Sequence, residues 1–76
     1  MYKIFNKIID ERARQDKKWG LQKHDLSYWM VILMEEVGEV CSAIQEKNFD
    51  NLQEELIQCG AVVVAILEGL EGKNGK

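Results

Sequence analysis

Apolar positions in residues 2–19 recur at helical spacing: Tyr2, Phe5, Ile9 and Ala13 form one stripe, with Ile8 and Arg12 beside it. That period predicts a first amphipathic helix. Its polar remainder pairs Lys7 with Glu11 and Asp10 with Arg14 at i,i+4, which reads as a solvated face with ion pairs worth about 0.2–0.5 kcal/mol each. Gly20 supplies a stop, since glycine favours the position just past a helix. After a short connection over 21–25, Asp25 or Ser27 can cap a second helix reaching about Lys47, where Asn48 and Phe49 end it. Asp50 followed by Gln53 has the form of a capping box and starts a third helix that runs to about Leu70, ahead of Gly72. The β-branched run Val62-Val63-Val64 suits a buried strand, but it lies inside a proline-free apolar stretch too long for one. With no repeat, linker or low-complexity block, residues 1–76 read as a single all-α domain of three helices.

Nine consecutive small or apolar residues, Cys59 to Leu67, leave the third helix with almost no polar direction. A helix that is apolar nearly all round must be covered nearly all round. Two amphipathic helices of the same chain can hardly do that, and a chain of 76 residues buries only roughly 60% of its unfolded surface. The expected architecture is therefore a helical bundle completed by homodimerisation, as a homodimer or a dimer of dimers. The same apolar run is about half the length of a bilayer span, and the alternating start Met1-Tyr2-Lys3-Ile4-Phe5 lacks a leader pattern, so no membrane partner and a cytoplasmic location are expected. Cys41 and Cys59 are too far apart for a redox pair or a zinc ribbon and read as reduced core thiols.

Charge is unevenly placed. Residues 1–24 hold seven Lys or Arg against three Asp or Glu, whereas residues 25–72 hold Lys47 alone against ten acids. A basic arm beside an acidic body suits an anionic ligand carried on a divalent cation better than a stable nucleic-acid partner. Glu35, Glu36 and Glu39 fall within about a 100° arc of the second helix, with no Lys or Arg within four residues of any of them. Glu36 lies at the border of the apolar face near Trp29, Val40 and Ala43; Glu39 lies next to Ile32; Glu35 points furthest outward, in line with Glu46. On the third helix Glu55 and Gln58 share the buried stripe with Cys59, Val62 and Ile66, while Glu54 joins Ala61, Ala65 and Glu68 on an expected outer face. A carboxylate aimed at a core is costly unless it is paired or binds metal. Water and salt remain one answer for an acidic face, but with so few cations nearby a metal is the better one. All-oxygen ligands favour magnesium, or manganese. A di-iron bundle would need Glu-x-x-His pairs, and the lone His24 is on neither acidic helix. Serine–histidine catalysis and a glycine-rich phosphate loop also lack their residues.

Glu35-Glu36-Val37-Gly38-Glu39 followed by Glu55-Leu56-Ile57-Gln58 resembles the EExxE…ExxD signature of the MazG-like, all-α nucleoside triphosphate pyrophosphohydrolases, whose wider superfamily includes dimeric dUTPases and phosphoribosyl-ATP pyrophosphohydrolase. The upstream segment Arg14 to His24, with Trp19, Gln22 and His24, is similar to the stretch before the acidic helix in short phage and bacterial members. The resemblance implies magnesium held by Glu36, Glu39 and Glu55, with Glu35 accepting from or positioning the attacking water or a second ion. Gln58 stands where the family has an aspartate; its amide oxygen can ligate but cannot act as a base. The implied substrate is a nucleoside triphosphate cleaved to monophosphate and pyrophosphate, with Lys17, Lys18 and Lys23 available to outer phosphates and Trp19, His24 and Trp29 available to a base. For Trp29 the competing role is core packing, and for Trp19 and His24 a loop anchored on the helices. A non-catalytic helical dimerisation or regulatory module that binds a nucleotide or a protein is the alternative that Gln58 keeps open.

Overall fold

The computed structural model describes residues 2–19 and 24–74. They form an all-α, three-helix bundle of α1 (Tyr2–Trp19), α2 (Leu26–Gln45) and α3 (Phe49–Asn74). Gly20 lies outside the described residues. Asp25 caps α2, its Oδ1 accepting the Tyr28 N–H at 2.9 Å, so one of the two expected caps is used.

The turn between α2 and α3 differs from the expectation in detail. After Gln45 the chain closes with Lys47 N–H donating to the Ile44 carbonyl at 3.1 Å and Asn48 N–H to the Ala43 carbonyl at 3.0 Å. Lys47 takes a left-handed φ of 56°. Those paired bonds are the Schellman closure, which satisfies the last carbonyls of a helix. Asn48 then begins the next helix: its Oδ1 accepts the Asn51 N–H at 3.1 Å. The expected cap, Asp50, instead lies in the first turn of α3, where its charge complements the helix dipole.

Helix α3 is the shared element, with α2 packed along one side and α1 along another, while the backbones of α1 and α2 do not approach each other among the described residues. Trp29, Val62 and Ala65 form the buried centre, with Ile32, Leu33 and Ile66 against it. Small residues allow α3 to be flanked twice. Ala61 and Ala65 are buried, which corrects their expected outer position: that stripe is an interhelix seam, and Glu68 at its end accepts Arg12 at 2.8 Å. Arg12 also holds Asp16 at 3.0 Å, pinning α1 to α3. A Cβ on Gly60 would lie 3.1 Å from Ile8 Cδ1, so α1 rests on α3 where a side chain is missing.

On α1 the face turned to α3 carries buried Gln15 with half-buried Ile8 and Arg12, while Tyr2, Phe5 and Ile9 of the apolar stripe are exposed. Leu56, Val63, Leu67 and Leu70 line an exposed face of α3, and Leu26, Met30, Met34, Val37 and Ile44 one of α2. Cys41 is exposed and only Cys59 is partly buried, so the expectation of two core thiols holds for neither in full. No described helix is long and apolar enough to cross a membrane.

Candidate functional site

Where α2 and α3 run side by side, three carboxylates meet. Helical spacing puts Glu36 and Glu39 on the α2 edge facing α3, and Glu55 lies on the α3 face toward them. One oxygen from each of Glu36, Glu39 and Glu55 lies within 4.8 Å of the other two. Glu36 Oε2 and Glu55 Oε2 are buried without a hydrogen-bond partner. An unpartnered buried carboxylate oxygen costs free energy, and these two belong to the same cluster.

The electrostatics follow from that crowding. Burial, then the charges of Glu39, Glu11 and Glu35, pushes the Glu36 carboxyl above its usual range. Glu55 is pushed up to about 7 by a hydrogen bond shared with Glu39, by burial, and by the charges of Glu39, Glu36 and Glu54. Like charges this close resist joint ionisation, so a proton or a cation must sit among them. One turn along α3, the Cys59 thiol is pushed up by burial and by Glu36 and Glu55, which places it at the margin of the same cluster.

A hard divalent cation fits this donor set, because orphaned carboxylate oxygens are ligands without a competing partner. Glu35 is exposed beside Met30, Val31 and Met34, next in sequence to the trio but pointing outward from it. Half-buried Gln58 lies one turn from Glu55 and lines a cleft between α3 and α1. Trp29 is in the core, 7% exposed, and the His24 ring meets it edge-on at 4.9 Å and Tyr28 at 4.6 Å. Lys17 and Lys18 are exposed in the last turn of α1. Lys23 and the side chain of Trp19 lie outside the described residues.

Sequence reasoning passed over Glu11 and Arg14. The spacing suggested Lys7–Glu11 and Asp10–Arg14 pairs on a solvated face, but Arg14 donates to both Glu11 oxygens, at 2.9 and 2.6 Å, and the Glu11 side chain is only 12% exposed. Gln15 Nε2 adds a third bond to Glu11 at 3.2 Å. Those bonds, led by Arg14, hold the Glu11 carboxyl below its usual range. Both i,i+3 and i,i+4 partners are within reach on a helix, and Arg14 pairs with the former.

No curated protein and no solved structure matches the chain significantly. Residues 24–72, which include α2 and the whole carboxylate trio, match the model of the MazG nucleotide pyrophosphohydrolase domain. With that match over more than half its length, and an acidic trio assembled from the matched helices, the chain belongs to the MazG nucleotide pyrophosphohydrolase domain family.

Proposed function

We propose that the protein is a magnesium-dependent nucleoside triphosphate pyrophosphohydrolase that releases nucleoside monophosphate and pyrophosphate, with manganese able to replace magnesium. The observation that carries this reading is the trio Glu36, Glu39 and Glu55 with two orphaned, buried oxygens. These three residues would hold the ion, with the Gln58 amide oxygen as a further donor. An ion held there would supply positive charge against the phosphates and make water a stronger acid. Glu35, at the exposed outer edge of the acidic helix, would accept from or position the attacking water or a second ion. His24, packed edge-on against Trp29, offers a polar ring edge to the base, with Trp19 as its stacking partner and Lys17, Lys18 and Lys23 nearby in sequence for the phosphates.

A second copy completes the fold in this reading, as a homodimer or a dimer of dimers. Exposed Leu56, Val63, Leu67 and Leu70 on α3 support it, because a contiguous apolar face of that kind is rare on a monomer. The acidic body speaks against a stable nucleic-acid partner, and the reading sets the enzyme in the cytoplasm with its substrates.

Gln58 favours the second reading, a non-catalytic module that keeps nucleotide or protein binding, because an amide adds neither charge nor basicity where the family has an acid. Incubation with magnesium and a panel of nucleoside triphosphates, scored by pyrophosphate release, separates the two. Release that is lost in both Glu36→Gln and Glu39→Gln with helicity intact supports the enzyme. Nucleotide binding with no release from any member of the panel refutes it in favour of the binding module.

A further inference from the structure

The family match begins at residue 24 and leaves α1 unassigned, yet α1 forms one wall of a cleft of about 660 Å³ against α3. Lys7, Asp10, Glu11 and Arg14 line it from α1, and Glu54 and Gln58 from α3. Gln58 lies one turn along α3 from Glu55, and Glu11 of the cleft is close enough for its charge to act on Glu36, so the cleft opens beside the carboxylate trio. We propose that Arg14, seated by Glu11, grips the two outer phosphates of the polyphosphate substrate in this cleft, with Lys7 extending the contact. The inference rests on the pyrophosphohydrolase reading and adds α1 to its site.

Three observations carry it. Glu11 takes the Nε and Nη2 N–H groups of Arg14, which fixes the plane of the guanidinium and leaves its Nη1 edge, a further set of coplanar donors, for a phosphate. Glu11 is fixed by Gln15 and nearly buried, whereas the Arg14 side chain is 53% exposed; the seat is rigid and the cation is open to a ligand. The other arginine of α1 is covered, since Arg12 is only 17% exposed between Asp16 and Glu68.

The charges of the cleft define the ligand. Lys7 and Arg14 face Asp10, Glu11 and Glu54, with three more carboxylates next door. A bare anion is repelled by that balance, while a polyphosphate bearing a divalent cation satisfies both signs. In hydrolysis a bond forms between the water oxygen and the inner phosphorus as the bond from that phosphorus to its bridging oxygen breaks. The electron pair leaves with the pyrophosphate, so negative charge grows on the two outer phosphates, where Arg14 stands.

The test compares wild type, Arg14→Ala and Arg14→Lys in the full chain, using magnesium pyrophosphate as the calorimetric probe and manganese binding by electron paramagnetic resonance as the control. Loss of a charge-assisted contact should weaken pyrophosphate binding about tenfold or more in Arg14→Ala, with a matching rise in KM for a triphosphate. Manganese binding should stay unchanged, and Arg14→Lys, which keeps the charge but loses the planar donors, should recover only part of the affinity. Pyrophosphate affinity in Arg14→Ala within about twofold of wild type, equal losses of manganese and pyrophosphate binding, or a wild type that does not bind magnesium pyrophosphate would each overturn the proposal. A wild type that binds pyrophosphate through Arg14 but hydrolyses no triphosphate sinks the enzyme reading alone.

Discussion

Replacing Glu55 by glutamine removes one charge from the trio with almost no change of shape, and its effect on stability should reverse sign with metal. In the metal-free protein Glu55 is pushed up to about 7 from 4.5, first by its hydrogen bond with Glu39 and then by burial. An acid whose pKa is higher folded than unfolded binds more protons in the fold, so it opposes folding increasingly as the pH rises from about 4.5 to about 7. Above that window the full penalty applies. A shift from 4.5 to about 7 corresponds to roughly 3 kcal/mol without screening, and for a partly exposed group solvent reduces this to about 1 kcal/mol. The amide introduced by the substitution also donates to Glu39 in place of the shared proton. Glu55→Gln should therefore stabilise the metal-free protein by about 1 kcal/mol near pH 8 and by little below about pH 5. With magnesium the order inverts: at a hundredfold excess over Kd the wild type gains about 2.7 kcal/mol, and the variant, one ligand charge short, gains less. Urea unfolding followed by circular dichroism, with chelator and with magnesium at both pH values, measures all four quantities. A variant less stable than wild type in chelator near pH 8, or an equal gain from magnesium in both proteins, would refute the reasoning.

Lys47→Gly should raise stability by about 0.5–1 kcal/mol, because Lys47 holds a left-handed φ of 56° at an exposed helix end that glycine adopts freely; the urea midpoint checks it. Gly60→Leu should destabilise by about 1–3 kcal/mol, since even a Cβ there meets Ile8 Cδ1 at 3.1 Å, and the loss should shrink when Ile8 is cut to alanine. Val63→Asp puts a charge on the exposed apolar face of α3 and should lower the sedimenting mass to that of one chain if that face is the contact. Gln58→Asp adds an anionic donor beside Glu55 and should tighten magnesium binding by calorimetry while lowering metal-free stability; equal affinities would place residue 58 outside the metal's reach.

Helix content and the inward turn of Glu36, Glu39 and Glu55 were legible in the sequence because they are local properties. A period near 3.6 and side-chain caps depend on residues a few places apart, and so does the angular separation of Glu36 and Glu39 from Glu35. Asp25 acts as its cap position suggests. The α2–α3 turn was read less well, since Asn48 and Asp50 are both good caps and the choice between them depended on how Lys47 closed the preceding helix.

Other features depend on which helix lies against which, and no local pattern contains that. Ala61 and Ala65 share a stripe with Glu54 and Glu68 and look solvent-facing on one helix, but α3 is flanked by two helices and the seam between them needs small residues. Tyr2, Phe5 and Ile9 outweigh Ile8 and Gln15 in apolar area, yet α1 docks through the latter because Arg12 reaches Glu68 and Ile8 settles over Gly60. Docking also turned Glu11 and Arg14 from a solvated edge into the wall of a cleft. The sequence by itself determined the three helices and the inward turn of Glu36, Glu39 and Glu55; the tertiary structure alone decided that Glu55 meets Glu36 and Glu39, and that α1 stands beside them with Glu11 covered, because contacts between distant residues are chosen by the packing of whole helix faces.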